Sequence, residues 1–354
     1  MVPPPQPPEL NALRTELLDL LAGLPEHSHA HLVTQALSAL LRLARSPQVD
    51  RLDWKIFSGA VQDMEKGFQT FCPYRHVRKV AIFGSARLPE DSPEYQMALK
   101  FAQVMTHQGF MVLTGAGGGI MAAGNAGAGS EHSFGLNIQL PFEQDSNPYI
   151  AGDHKLIDFK YFFTRKLFFL RETDALALFP GGFGTQDEAF ESLTLCQNGK
   201  SPPIPIVLVD TPGGDYWRAW QAYIHRYLEQ RQLISPEDVQ LYTWTDSIEG
   251  AVAAIRDFYR VYHSCRYVGE RLVVRLTHAV SDQAVAQLNN EFQDMIAAGR
   301  LEKTVTLPEE QGDDTVDLPR LVMTFDPRCY GRLYQFIRAL NRLGATRDDR
   351  PERK

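Results

Sequence analysis

The feature that most restricts how this chain can fold is a glycine-rich turn, FPGGFGTQDE, at residues 179–188. The short apolar run Ala175–Leu178 precedes the turn, and residues 187–195 follow it with apolar side chains three and four positions apart. This pattern predicts a strand, a tight turn and a helix. Such a turn leaves backbone N–H groups free at the helix N-terminus, where the helix dipole favours an anion.

The residue types in this turn suit a bound phosphate. Gly181, Gly182 and Gly184 let the backbone approach a ligand closely, and Thr185 can either cap the helix or donate to a phosphate oxygen. Glu188 is expected about one turn into the helix, near a bound phosphosugar. Many turns between a strand and a helix contain glycine for packing alone, so this stretch by itself leaves both interpretations open.

Apolar runs alternate with helical patterns through the middle of the chain. The predicted strands are residues 79–83, 110–114, 133–140, 175–179 and 205–209. Their continuous apolar character predicts a Rossmann-like α/β fold, a doubly wound parallel sheet with helices on both faces. Glycine turns also follow the first two strands, at Gly84 and Ser85 and at residues 115–121 (GAGGGIM). Because ligands bind such sheets at the carboxyl ends of the strands, the three turns are expected to meet.

Two common nucleotide-binding motifs are incomplete. An NAD site needs an acidic residue after the strand that follows the GAGGGIM turn, and residues 135–140 (GLNIQL) offer Asn and Gln instead. A P-loop needs Gly-Lys-Ser/Thr at the end of a glycine loop, and no glycine loop of this sequence is followed by that triplet. His27, His29 and His31 are two residues apart and do not share a helix face. We therefore expect no cofactor and no metal.

The composition narrows the range of partners. A net charge of −7 argues against a nucleic acid polymer, although a local site for one nucleotide stays open. The four cysteines are far apart and indicate no disulfide framework. The N-terminus is rich in proline, and no run of about 18 apolar residues occurs. We expect a soluble cytoplasmic protein that does not associate with membranes.

The length of 354 residues favours two or three structural units. We predict a helical extension (1–75), a Rossmann-like domain (76–264), a small α+β domain of βαββα order (265–345) and a charged tail (346–354). The extension should hold two helices broken near Pro25 and a third over residues 50–71, for packing or oligomerisation.

Three elements, in this order, resemble the LOG ("lonely guy") phosphoribohydrolases, a family once labelled lysine decarboxylases. They are Gly84-Ser85, the segment GGGIM at residues 117–121, and Arg165-Lys166 ahead of PGGFGTQDE, which matches the family hallmark PGGxGTxxE. The resemblance covers residues 79–210. The extensions at both ends make the chain similar to the longer bacterial members, which include nucleotide 5′-monophosphate nucleosidases.

The resemblance implies hydrolysis of the N-glycosidic bond of a nucleoside 5′-monophosphate, which releases a free base and ribose 5-phosphate. This reaction builds oxocarbenium character, so a nearby carboxylate lowers its barrier, and Glu188 is the candidate. The resemblance also makes Arg165 catalytic, holding the phosphosugar or supporting the leaving base, with Lys166 as an ancillary charge. The predicted substrate-binding residues are Gly84, Ser85, Gly118, Gly119, Lys166, Gly181, Gly182, Gly184 and Thr185.

The substrate base and the alternatives stay open at this stage. Phe163-Thr164 stands where the short plant-type enzymes carry Met-His, so a purine or pyrimidine monophosphate is as plausible as a cytokinin riboside monophosphate. The alternative is a non-catalytic binder or carrier of a phosphate-bearing nucleotide or of the molybdenum cofactor. A pyridoxal phosphate decarboxylase is disfavoured because no lysine is marked as a Schiff-base former. Family members are homo-oligomers, so at least a dimer is expected.

Overall fold

The chain separates at residue 61 into two units, Met1–Val61 and Gln62–Lys354. The computed structural model describes residues 7–139 and 145–345. The first unit contains helices α1 (Pro7–Gly23) and α2 (Ala30–Arg45) and the start of α3 (Arg51–Phe71). The break expected near Pro25 is a short turn at Leu24–Glu26. Asp50 caps the N-terminus of α3, because its Oδ1 accepts from the N–H groups of Leu52 and Asp53 at 2.7 and 2.9 Å.

Seven strands form a parallel sheet in the second unit, in the order β4-β3-β2-β1-β5-β6-β7. They are β1 (Lys79–Phe83), β2 (Met111–Thr114), β3 (Ser133–Ile138), β4 (Leu156–Phe159), β5 (Ala175–Leu178), β6 (Ile206–Val209) and β7 (Tyr242–Thr245). The surrounding helices are α4 (Pro93–His107), α5 (Ile120–Ala128), α6 (Phe162–Glu172), α7 (Phe183–Gln197), α8 (Tyr216–Ile224) and α9 (Ile248–Phe258).

Helices cover both faces of this sheet. Successive residues of a strand point to opposite faces, so Val80 and Ile82 join one core, with residues of α4, α5 and α9. Ala81 and Phe83 join the other core, with residues of α6 and α7. The predicted Rossmann-like fold is confirmed.

The prediction of strands was wrong at the edges of the sheet. β4 and β7 are its outermost strands and were not predicted, because both carry polar residues (LIDF and YTWT) and are not continuous apolar runs. The predicted fourth strand, at residues 175–179, ends one residue earlier, at Leu178. The predicted end of the third strand, at Leu140, lies outside the described residues.

A smaller antiparallel sheet follows, in the order β10-β11-β9-β8. Its elements are β8 (Tyr262–Val268), β9 (Arg271–Leu276), α10 (Asp282–Glu291), β10 (Ile296–Thr304), β11 (Arg320–Phe325) and α11 (Tyr330–Leu343). The predicted βαββα order missed β8, whose sequence, YHSCRYV, is largely polar. Helix α9 ends at Phe258, shortly before β8 begins at Tyr262.

The strand order places a crevice beside β1. The chain runs outward from β1 through β2 and β3 to β4, and then returns to the other side of β1 at β5. Ligands of open parallel sheets bind at such a reversal, beyond the carboxyl ends of the strands. Gly84 follows β1 there, and residues 179–182 follow β5. Within the described residues, no helix combines the length and the apolar character needed to cross a membrane.

Candidate active site

The turn after β5 contains a row of backbone N–H groups for which the described residues supply no acceptor. Helix α7 begins at Phe183, with Gly182 as its N-cap residue, and its first internal bond runs from the N–H of Gln186 to the carbonyl of Gly182 at 3.1 Å. Within the described part of the chain, the N–H groups of Gly182, Phe183, Gly184 and Thr185 have no hydrogen-bond acceptor. The prediction that Thr185 can cap the helix was wrong, because Thr185 is the third residue of α7 and is buried.

This turn packs tightly against the turn after β1. The N–H of Ser85 donates to the carbonyl of Pro180 at 3.0 Å. A side chain at Gly181 would overlap both the hydroxyl of Thr185 and the N–H of Ser85, so only glycine fits. The Tyr216 hydroxyl donates to the carbonyl of Gly181 at 2.5 Å and was missed by the sequence analysis. The turn is therefore held from both sides.

The turn after β2 meets the same place. The N–H of Ile120 donates to the carbonyl of Ser85 at 3.0 Å. Side chains at Gly84 and Gly119 would overlap Ile120 and the Ser85 carbonyl respectively, and one at Gly118 would meet the Ala86 carbonyl at 3.2 Å. The hydroxyl of Ser85 accepts from the N–H of Arg87 at 3.1 Å. The three turns are thus in contact, and Gly84 and Gly119 make that contact possible.

Substituting Gly119 with alanine is expected to destabilise the protein by about 3 kcal/mol, because φ is +57° and ψ is −129° and the added Cβ overlaps Ser85. Urea denaturation measures this. Gly184→Ala is the matched control, since no atom of the described residues lies within 4 Å of its Cβ position and alanine favours a helix. Equal stability of the two variants would contradict the expectation.

A buried amide network, also missed from the sequence, braces the GAGGGIM turn. Asn125 accepts at Oδ1 from the Thr114 hydroxyl at 2.7 Å and from Nδ2 of Asn147 at 2.9 Å. The same Nδ2 donates to the carbonyl of Gly117 at 3.1 Å, and the N–H of Asn147 donates to the carbonyl of Ala116 at 2.7 Å. Asn125, the one amide in the small-residue helix IMAAGNAGA, was the signal in the sequence.

Arg165 is 9% exposed and has an unusual set of neighbours. Its Nε donates to the carbonyl of Leu136 on β3 at 2.6 Å, and its guanidinium lies over the ring of Phe169 at 5.0 Å. A side chain at Gly115 would overlap Nη2, so this glycine makes room for the guanidinium. No described residue accepts a hydrogen bond from its terminal nitrogens. Burial lowers the pKa of Arg165, and the charge of Glu188 opposes that shift.

Glu188 projects from the first turns of α7 and is 6% exposed. Burial raises the pKa of Glu188, and the positive charges of Lys166 and Arg165 only partly offset this. The neighbouring carboxylates of Glu191 and Asp187 raise it further. A carboxyl group poised in this way is typical of catalytic positions.

Lys166 joins three carboxylates of α7. Its Nζ lies 2.9 Å from Asp187 and 3.4 Å from Glu188, and it also donates to Glu191. Burial alone would lower the pKa of Lys166, but the hydrogen bonds to Glu191 and Asp187 outweigh it and raise the pKa. Lys166 therefore stays protonated and links α6 to α7.

The family comparison bears on the same residues. A family model described as "Possible lysine decarboxylase" matches residues 118–255, which include Arg165, Lys166 and the whole PGGFGTQDE turn. The resemblance to the LOG family found in the sequence is confirmed for these residues.

Three solved structures are similar to about half of the chain. A structural-genomics target named TM1055 has 24% identity over 51% of this chain and 98% of its own, with a TM-score of 0.37. A molybdenum cofactor carrier protein of Chlamydomonas reinhardtii has 19% identity over 51% and 96%, with a TM-score of 0.36. A molybdenum cofactor binding protein of Rippkaea orientalis has 16% identity over 50% and 93%, with a TM-score of 0.35. No curated protein matches the chain. Sequence identities and TM-scores this low indicate nothing about the activity of this chain.

Proposed function

We propose that this protein hydrolyses the N-glycosidic bond of nucleoside 5′-monophosphates to a free base and ribose 5-phosphate. The observation that carries the proposal is the position of buried Glu188 on the helix whose first N–H groups have no acceptor among the described residues. Four residues of helix, from Gly184 to Glu188, rise about 6 Å. That rise is comparable with the span from the phosphate to the anomeric carbon of ribose 5-phosphate.

The chemistry requires an ionised carboxylate beside the anomeric carbon. As the bond to the base breaks, positive charge develops on the ribose, and the carboxylate of Glu188 stabilises it and orients the attacking water. The terminal nitrogens of Arg165 supply donors for the phosphosugar or for the departing base. The N–H groups of Gly182, Gly184 and Thr185 bind the 5′-phosphate.

Lys166 and Lys79 do not suit Schiff-base chemistry, which needs a neutral amine at the site. Lys166 is held protonated by three carboxylates. Burial lowers the pKa of Lys79, but this residue begins β1, at the end of the sheet opposite the crevice, and its Nζ donates to the carbonyls of Tyr74 and Val77, both at 2.9 Å. We therefore favour the glycosidase over a decarboxylase, in spite of the family description.

The test is incubation of the purified protein with a panel of nucleoside 5′-monophosphates, the matching nucleosides and lysine, with chromatography of the products. Free base from monophosphates alone supports the proposal and identifies the base. Nucleotide binding without any product would instead favour the non-catalytic carrier. Cadaverine, the diamine left when lysine loses carbon dioxide, would refute both.

We also propose that a second copy of the chain covers the outer surface of α6 and α7. This phenylalanine face consists of Phe162, Phe163, Leu167, Phe183 and Phe190, all exposed, with Phe183 at 96%. Exposed apolar patches of this kind mark protein interfaces. The same two helices carry Arg165 and Glu188, so a partner here would contact the elements that position the proposed site.

Replacing Phe163, which is 56% exposed, with glutamate is expected to convert the oligomer into monomers, because the change places a charge in the phenylalanine face. Light scattering coupled to size-exclusion chromatography measures the mass. Leu233→Glu is the control, since Leu233 is exposed and lies outside this face. A wild-type protein that is monomeric at micromolar concentration would contradict the proposal.

A further inference from the structure

The second half of α3 holds a buried carboxylate that faces the N-terminus of α6. Asp63 is 3% exposed. Its two oxygens accept from the N–H of Lys160 at 3.1 and 3.0 Å, and Oδ2 also accepts from the N–H of Tyr161 at 3.1 Å. The hydroxyl of Thr164 donates to Oδ2 at 2.6 Å. All of these donors belong to the first turn of α6 or to the residues just before it.

This arrangement is a helix cap supplied from another helix. Tyr161 is the N-cap residue of α6, whereas the residue types that cap well are Ser, Thr, Asp and Asn. Asp63 provides such a carboxylate across a sequence separation of 97 residues from Lys160. Its negative charge also lies at the positive end of the α6 dipole, which stabilises it there.

The second half of α3 also makes apolar contacts with α6, further along both helices. A side chain at Gly67 would overlap the ring of Phe168, so the two helices approach closely there. The ring of Phe68 lies 5.3 Å from that of Phe168, and the ring of Phe71 stacks on it at 6.1 Å. Asp63 and Gly67 are one turn apart on α3, so both its polar and its apolar contacts with α6 lie on one face.

Arg165 directly follows Thr164 in this turn, and its N–H donates to the carbonyl of Tyr161 at 3.2 Å. We propose that Asp63 is a positioning residue for Arg165. By fixing the first turn of α6, it fixes the point from which the Arg165 side chain reaches the carbonyl of Leu136. This role also accounts for the presence of a hydroxyl at Thr164, since the bond that it donates is the shortest of those that Asp63 accepts from this turn. This inference rests on the proposed glycosidase.

The test compares four variants in nucleoside monophosphate hydrolysis, with thermal unfolding of each. Asp63→Asn replaces one acceptor oxygen with an amide donor and removes the charge, and is expected to lower kcat/KM by about 10- to 100-fold. Thr164→Val, which loses only the hydroxyl, should lower it less, and Thr164→Ser should restore it. Asp50→Asn is the matched control, because it makes the same change from carboxylate to amide at the cap of α3, whose bonds to Leu52 and Asp53 do not involve α6.

A readout that does not need activity is the Nε–H resonance of Arg165 in an NMR spectrum, assigned with Arg165→Lys. Asp63→Asn and Thr164→Val should shift it, and Asp50→Asn should not. A wild-type protein without activity on any monophosphate would refute the proposed function alone, since the resonance still tests the positioning. If both Asp63→Asn and Thr164→Val leave kcat/KM and the resonance unchanged while they lower the melting temperature, Asp63 is merely structural and the inference is wrong.

Discussion

Glu188→Gln is expected to lower kcat for nucleoside monophosphate hydrolysis by about 10²- to 10⁴-fold. The amide has nearly the same shape, but it cannot carry the negative charge that stabilises the developing oxocarbenium ion. Chromatographic measurement of free base gives the rate. Asp187→Asn is the matched control, because Asp187 also contacts Lys166 but is mostly exposed. A Glu188→Gln variant that retains more than a tenth of wild-type kcat would contradict the assignment.

The pH dependence of the wild-type protein and of Glu188→Gln provides a second check. Because the pKa of Glu188 is raised, the acid limb of the wild-type rate profile should lie above the usual range for glutamate. A raised pKa also means that this carboxyl favours folding only at pH values below its unfolded pKa, and that this contribution is lost as the pH rises through the folded pKa. At neutral pH, Glu188→Gln should therefore be at least as stable as wild type in thermal unfolding, and this advantage should shrink on acidification.

Arg165→Lys is expected to lower kcat/KM by about 100-fold, although the charge is retained. Lysine has no counterpart to the Nε–H that bonds to Leu136, and it lacks the two planar terminal nitrogens. Steady-state kinetics on the preferred monophosphate measures the loss. Arg171→Lys, on the same helix but largely outside the core, is the control. A change of less than threefold at Arg165 would show that any cation suffices there.

The sequence predicted the parts of the site that depend on local pattern. Glycine turns after apolar strands can be recognised from the chain itself, and the geometry of a parallel sheet then brings Gly84, Gly119 and Gly181 together. The Arg-Lys pair and Glu188 were found through their spacing in the family hallmark. That spacing did not show that Lys166 would contact three carboxylates, because the contact depends on how α6 packs against α7.

The sequence could not predict the supports of the site. Asp63 reads as one of several polar residues on an exposed helix, and its partners lie nearly a hundred positions away. Asn147 lies in a loop, and its hydrogen bonds to the GAGGGIM turn form only when the folded chain brings the loop and the turn together. Edge strands were missed for a related reason: β4 and β7 have a neighbour on one side only, so their sequences are not continuously apolar.

The grouping of three carboxylates around one lysine makes the site sensitive to added negative charge. Asp187, Glu188 and Glu191 carry three negative charges against the two positive charges of Lys166 and Arg165. A phosphate dianion bound at the start of α7 increases this excess and raises the pKa of Glu188 further. Ligand binding is then thermodynamically linked to proton uptake, so affinity falls with rising pH whereas the ionised fraction of Glu188 grows. For the proposed glycosidase, we therefore expect the fastest turnover at a pH that balances ligand affinity against ionisation of Glu188.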